Sequence, residues 1–246
     1  MRIRLPVAFA ILLAVAGCGA KQPAKPPLTV MTALPLFGLD GEIGDVLNGP
    51  DRRAAIVHAL EGQYRPIPVD HIDAKTLSQA AVLILAQPRG LSGSELVELD
   101  AWIRRGGKAL VFADPLLLWP SDLPLGDRRR APPVTLLDPL LAHWGLVLDI
   151  PPLGTEAVEI ARLDGKRLSV AGPGRWQSTR KACAITDDGL VADCRIGAGR
   201  ALLIADADML DERLWQESGR DNSQSVLDAL QRLETSAASQ PPKGGT

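Results

Sequence analysis

Three aspartates stand where apolar runs stop. Residues 109 to 112, Ala-Leu-Val-Phe, continue without a polar break and end at Ala113-Asp114-Pro115. Residues 201 to 205, Ala-Leu-Leu-Ile-Ala, end at Asp206-Ala207-Asp208. In an open α/β sheet, ligands gather at the carboxyl ends of the strands. Asp114, Asp206 and Asp208 are therefore candidates for a polar-ligand or metal site built from carboxylates. A plainer use is open to the same residues, since Asp accepts backbone N–H bonds in the turn that follows a strand. No calcium-loop pattern surrounds them.

A second candidate constellation is the run LWPSDLPLGDRRRAPP, residues 118 to 133. It places Trp119 near Arg128, Arg129 and Arg130 among rigid prolines. An aromatic and arginines on an ordered loop suit a contact surface for a protein or a saccharide; the bland alternative is a solvated charge run. The three histidines carry weaker signals. His58 lies on a helix pattern beside Ala55 and Leu60, His71 follows Asp70 at a strand end, and His143 sits near a helix end, where it can bond a terminal carbonyl. No H-E-x-x-H occurs, and no G-x-S-x-G. GGK at 106–108 and GAGR at 197–200 precede strands, so neither is a phosphate loop. No cofactor and no metal is expected from these residues.

Elements that would position these residues follow from periodicity. LTVMTALPL reads as a first strand, and residues 38–51, crowded with Gly, Asp and Pro, as irregular chain. DRRAAIVHALEG carries helical spacing, with Asp51 as N-cap and Gly62 as stop. RPIPVD is a short strand whose prolines suit an edge, and DAKTLSQA is a short helix. AVLILAQP, then a helix opened by the Ser92/Glu95 capping box and closed by Gly106-Gly107, then KALVFAD, make a βαβ unit with parallel strands. Residues 116–133 form a long loop. A helix starting at Asp138-Pro139 leads into another strand. Residues 151–195 form a small β-rich insertion, 199–210 a buried strand, and 222–233 an amphipathic helix. This order predicts an α/β fold with a doubly wound, flavodoxin-like, mainly parallel sheet.

The ends differ from this pattern. Residues 1–17 combine two arginines with the apolar run LPVAFAILLAVAG, which is shorter than the roughly 20 residues that span a bilayer, so they read as an export signal. Val15-Ala16-Gly17-Cys18 resembles the lipobox of bacterial lipoproteins, which implies lipidation of Cys18; ordinary cleavage after Ala20 is the alternative. By that resemblance, Gly19 after the cysteine favours the outer membrane over the inner, with the chain facing the periplasm. Residues 18–27 read as a lipidated cysteine and a Pro/Ala tether, residues 28–234 as one domain, and 235–246 as a disordered tail. The formal charge is −2, and loss of two arginines with the signal makes it −4, which argues against nonspecific nucleic-acid binding.

Export implies an oxidising compartment, where Cys183 and Cys194 can pair. With Asp188-Gly189 as a two-residue turn, the two cysteines face each other across a hairpin. That count puts them at a hydrogen-bonded position, the less comfortable one for a disulfide; a bulge would change the count.

The stretch AVLILAQPRGLSGSELVELDAWIRRGGKALVFADP resembles the auxiliary proteins of uncharacterised ABC-type transport systems, related to gliding-motility transporter components. GRALLIADADMLDE with DNSQSVLDALQRL, and TALPLFG near the start, extend the likeness over most of 28–234. The resemblance implies a class I glutamine amidotransferase-like fold and, as partners, permease and ATPase subunits of a transporter. Enzymes of that fold place a nucleophilic Cys on a tight strand-to-helix turn, activated by His. The comparable strand end here is Ala113-Asp114-Pro115, and Pro115 has no N–H to offer an oxyanion. The expectation is a non-enzymatic, lipid-anchored auxiliary or binding component. An envelope hydrolase using Asp114 or His143 and a purely structural lipoprotein are the competing readings.

Overall fold

Strands form where leucine, isoleucine, valine and alanine run together, because such segments can be covered on both faces. Val82–Ala86 (β3) is buried at every position, and Lys108–Phe112 (β4) at every position but its lysine. Each fully buried Val, Leu or Ile side chain contributes about 1.5–3 kcal/mol. Gly199–Ile204 (β11) is covered in the same way except at Arg200. The structure is a computed structural model that describes residues 24–38, 51–124, 126–152, 154, 157–219 and 221–235. The export signal, Cys18, most of the tether, residues 39–50 and the tail beyond Thr235 lie outside the described residues.

The central sheet has seven strands in the order β2-β1-β3-β4-β11-β10-β9. Pro27–Thr32 is β1, Arg65–Pro68 is β2, Cys183–Thr186 is β9 and Val191–Ile196 is β10. β2, β1, β3, β4 and β11 are parallel, and β10 and β9 add antiparallel at one edge. Proline-bearing β2 is the opposite edge, as its missing N–H groups require. The end of the expected tether is already engaged, since Pro26 accepts a backbone bond from Arg65 (2.9 Å) and Pro27 pairs with that residue.

Ala55–Gln63 (α1) and Ser223–Thr235 (α6) pack on each other, and α6 lies against β4 and β11. Ala74–Ser78 (α2) packs on Gly93–Arg104 (α3), which meets β11. The capping box forms as the sequence predicts: Ser92 Oγ accepts from Glu95 N, and Glu95 Oε2 accepts from Ser92 N. Asp51 does not cap α1. That helix starts four residues later and runs through Gly62, and its first N–H, from Ala55, is accepted by Glu212 Oε2 at 2.9 Å. A carboxylate from the other end of the chain thus does the work expected of a local one.

Gly199 explains why GGK and GAGR carry glycines. A Cβ at Gly199 would stand 2.0 Å from the carbonyl oxygen of Ile103 and 2.3 Å from that of Gly107. The end of α3 and the start of β11 touch backbone to backbone there, and only glycine permits it.

Of the stretch 151–195, the first strands stand apart and the last join the main sheet. Leu146–Asp149 (β5) pairs with Arg175–Ser178 (β8), and Val158–Leu163 (β6) with Lys166–Ala171 (β7), as two small antiparallel pairs. Asp138–Trp144 (α4) precedes β5, with Pro139 in its first turn as expected. Glu212–Ser218 (α5) packs against β7.

Cys183 and Cys194 are bonded and directly opposite in the β9–β10 register, with Cα atoms 4.0 Å apart. The hydrogen-bonded count was wrong by one phase. Arg195 N donates to Ala182 O (2.9 Å), so that neighbouring pair is the bonded one and the cysteines occupy the close, non-bonded position. The cause is the turn. Asp187, Asp188 and Gly189 all have positive φ (52°, 54° and 90°), forming a longer connection than a two-residue turn.

A furrow at the carboxyl ends of the parallel strands

The β4–β11 register sets Phe112 beside Ile204, so Asp114 and Asp206 leave the sheet side by side. Both are 0 % exposed, and Asp208 is 2 % exposed. Their carboxylates are filled by backbone donors. Asp114 Oδ1 accepts from Leu116 N (2.8 Å), and its Oδ2 accepts from Ala207 N (2.7 Å) and Asp208 N (3.4 Å). Asp206 accepts from Ala171 N (2.8 Å) and Met209 N (2.5 Å). Asp208 Oδ2 accepts from Leu118 N (2.7 Å). The structure therefore brings the three acids together, but as fasteners of the loops behind the surface. Among the described residues, no group of three or more His, Cys, Asp or Glu is arranged to hold a metal.

Burial and mutual repulsion disfavour their charges. Burial pushes Asp208 up to about 8, with repulsion from Asp114 adding to it. Asp114 rises to about 6 for the same first reason, against the pull of its backbone N–H donors. Asp206 rises well above the usual carboxylate range through burial, then repulsion from Asp114 and Asp208.

Gln87 was not singled out by the sequence. It is fully buried with φ 42°, a left-handed backbone that a side chain adopts at a cost. Its amide accepts from Asp114 N (3.0 Å) and donates to Asp114 O (3.3 Å) and Pro132 O (3.0 Å), tying the exit of β3 to both ends of the long loop. Thr135 N closes the same loop on Asp114 O at 2.6 Å. Asn222 does similar work for β7, bonding both Ser169 N and Ser169 O.

Trp119 emerges on this platform, half-buried, with the Arg213 guanidinium 5.7 Å from its ring centroid. A cleft of about 390 Å³ opens beside it, between Pro35, Arg52 and Arg53 from the loop after β1 and Arg213 from the first turn of α5. Arg129 and Arg130 line a smaller cavity on the other side of Trp119, and Arg128 with Arg129 a third. Trp119 and the three arginines of 128–130 thus lie along one edge, while Asp114, Asp206 and Asp208 are buried beneath it.

A repeated device holds three of the arginines. In Asp51-Arg52-Arg53, Asp127-Arg128-Arg129 and Asp211-Glu212-Arg213, the aspartate accepts the backbone N–H two residues on (3.0, 2.9 and 2.9 Å) and grips the guanidinium of that same residue with two oxygens. D-x-R occurs four times in the sequence; three of these stand after parallel strands, and the fourth, Asp193-Cys194-Arg195, lies within β10. The pattern means nothing until the topology puts the three that follow parallel strands on one edge.

The histidines fall elsewhere. His71 Nδ1 is 3.0 Å from Glu95 Oε1. His58 lies 3.5 Å from Asp51. His143 sits beside Arg104 (3.1 Å) and Asp100 (3.7 Å), at the end of α3 that leads into β4. Asp114 follows the opposite end of β4, so Asp114 and His143 form no acid–base pair.

Fold and site together define an α/β domain with a mostly parallel seven-stranded sheet and a furrow at the strand carboxyl ends. The profile of the ABC-type uncharacterized transport system family matches residues 25–149, and the chain belongs to that family. No curated protein matches it. Among solved structures it is similar to the exo-β-1,4-mannosidase Op5Man5 from Opitutaceae bacterium strain TAV5, at 15% identity and a TM-score of 0.51 over 86% of this chain and 36% of that one. It is also similar to a cold-adapted β-galactosidase from Rahnella sp. R3 (12% identity, TM-score 0.48, 85% of this chain and 31% of that one). A third is a ThuA-like protein from Bacteroides uniformis ATCC 8492 (10%, 0.49, 98% of each). The chain spans about a third of the length of the two glycosidases. At such identity the mannosidase likeness concerns fold alone.

Proposed function

We propose that this chain is a non-enzymatic, lipid-anchored auxiliary component of an ABC-type transport or envelope system, and that it faces the periplasm and presents its strand-end furrow to a partner. The carrying observation is the chemistry of that edge. Ligands of open α/β sheets bind there, and here the edge offers Trp119 and ion-paired arginines with Asp70, Asp211 and Glu212 in the same lining, while Asp114, Asp206 and Asp208 beneath it are occupied by backbone donors. Among the described residues, neither cysteine nor histidine lines the three cavities. Family membership supplies the transport context.

The strand order β2-β1-β3-β4-β11 supports a flavodoxin-like, doubly wound reading, with α1 and α6 as one packed group and α2 and α3 as another. It also supports the class I glutamine amidotransferase-like assignment, without the nucleophile of that fold's enzymes. The disulfide at Cys183–Cys194 supports passage through an oxidising compartment. The apolar run ending at Cys18 supports acylation there, and Gly19 supports the outer membrane. Membrane fractionation tests the anchor: Cys18→Ala should release the chain from the membrane pellet. Capture of an ATPase and a permease with the tagged wild type from cross-linked cells tests the partnership, and repeated recovery of neither would refute it.

A further inference from the structure

One edge of β6 is open. The strand pairs with β7 alone, in an unbroken register from Val158↔Ala171 to Leu163↔Lys166. On β7, Ser169 N and Ser169 O bond the side chain of Asn222 (2.9 and 2.7 Å), and Ala171 N donates to Asp206 Oδ2 (2.8 Å). These groups turn away from β6, so Ser169 and Ala171 hold non-bonded positions of the pair. Their partners Ile160 and Val158, and by alternation Arg162, turn their own N–H and C=O groups to the far side. Among the described residues, nothing bonds them there.

Open edges are usually guarded. At the rim of the main sheet, β2 carries Pro66 and Pro68. β6 reads Val-Glu-Ile-Ala-Arg-Leu, with no proline, no lysine and no bulge. Its hairpin is fixed from behind, since Lys166 pairs with Asp228 and Arg232 with Asp164, both joining it to α6. A strand held this way loses little further freedom on binding.

The open edge borders a cleft of about 430 Å³, lined in succession by Glu159, Ile160, Ala161 and Arg162. Side chains alternate between faces, so successive residues meet one cavity along a strand's edge. Ile150 and Ile160, both exposed, line it as well. So do the carboxylates of Asp149, Glu159, Asp187 and Asp188, and among the described residues none of these is in an ion pair. Asp149 accepts from Gln177 and Asp187 from Thr186, both neutral donors. The two guanidinium groups of the lining bond carbonyls: Arg162 that of Gly165, and Arg175 that of Asp188. Four carboxylates against two guanidinium groups leave an excess of two negative charges.

A row of backbone donors and acceptors selects an extended polypeptide, and the acids select its charge. A second copy of β6 fits poorly. Outward-turned residues would pair with one another, so Glu159 would face Glu159, Ala161 or Leu163 of the copy and never Arg162. We propose that a basic, extended segment of a partner protein adds to β6 as an antiparallel strand, with apolar residues on the Ile160 face and lysine or arginine on the Glu159 face. This surface shares no residue with the strand-end furrow and does not rest on the function proposed above.

The full-length chain in detergent would be titrated with labelled Lys-Val-Lys-Val-Lys-Val-Lys, with the same peptide N-methylated at its valines, and with Glu-Val-Glu-Val-Glu-Val-Glu. The first should bind, weakening as salt is raised, and the other two should not. In the antiparallel pairing the valine N–H groups point at β6, so methylation blocks the ladder. Ile160→Pro removes an N–H from the open edge and none from the β6–β7 ladder, and should weaken binding about 30-fold with the fold retained. Glu159→Lys, at an exposed position without an ion pair, should weaken it about tenfold at an unchanged melting temperature; should the proline variant not fold, this one decides. Failure of the first peptide to bind overturns the proposal, as does equal binding of either control or binding that neither substitution alters. A dimer that Ile160→Pro dissolves overturns it too, since the edge then serves a second copy.

Discussion

Asp208 Oδ2 accepts the backbone N–H of Leu118 at 2.7 Å, across 90 residues of sequence and one residue before Trp119. This bond sets the posture of the aromatic at the centre of the furrow. A buried, repelled carboxylate makes it, so the platform under Trp119 should respond to pH.

The direction of that sensitivity follows from linkage. Asp208 is raised from an ordinary 3.8 to about 8 in the fold. Its contribution is fully present below about pH 4 and is lost as pH rises through about 8, because the unfolded chain releases the proton first. Stability should fall across this window with a slope of at most about 1.4 kcal/mol per pH unit from this group. Asp208→Asn keeps an oxygen for Leu118 N–H and removes the titration. Melting curves from pH 4 to 8 should therefore be flatter for the variant, and superimposable profiles would refute the assignment.

Glu95 acts at the acid end with the opposite sign. It is 2 % exposed, paired with Arg89 at 2.7 Å, and accepts from the backbone of Ser92 (2.8 Å) and Ile72 (3.2 Å). Arg89 first, then these N–H groups, hold its carboxyl well below the usual range. Its contribution is present above the ordinary carboxylate range and is lost as pH falls toward the folded value. Glu95→Gln should lower stability at pH 7 and shrink the loss between pH 5 and 2, read by denaturant titration at each pH.

Gln87→Leu should cost about 2–3 kcal/mol, because it leaves the buried N–H of Asp114 without its acceptor. Gln87→Gly separates two effects: it relieves the φ of 42° but loses the amide. The glycine variant should be no worse than the leucine variant, as urea midpoints would show.

Gly199→Ala should destabilise by several kcal/mol or prevent folding, since its Cβ would stand 2.0 Å from the Ile103 carbonyl. Gly93→Ala is the control, because nothing lies within 4 Å of a Cβ there. Expression and thermal melts of the two would decide.

Loss of the disulfide should cost about 3 kcal/mol, the loop-closure figure for a separation of 11 residues. Cys183→Ala/Cys194→Ala, or the wild type under reductant, should melt at lower temperature with the sheet retained.

Much of the fold was legible because it rests on local signals. The buried runs at 82–86 and 108–112, the Ser92/Glu95 capping box and Pro139 in the first turn of α4 act within a few residues of themselves. The facing cysteines were legible too, since a turn and a count suffice. Their hydrogen-bonding phase was not, because it depends on three consecutive positive φ angles that no residue type there requires.

The site was legible only in its parts. Asp114, Asp206 and Asp208 could be marked as strand-end acids, but a carboxylate facing solvent and one satisfied by buried N–H groups have the same local sequence. Which of the two it is depends on the Ala207, Leu118 and Ala171 donors that the topology delivers. Gln87 and the three D-x-R forks are equally silent alone. Sequence by itself determined the buried runs, most of the helices and the residue types at the strand ends, but it missed the Glu212–Ser218 helix and ran the strand at 199–204 on to 210. Tertiary structure decided which were buried and which lined the furrow, because β1, β3, β4 and β11 run parallel and collect loops far apart in the chain on one edge.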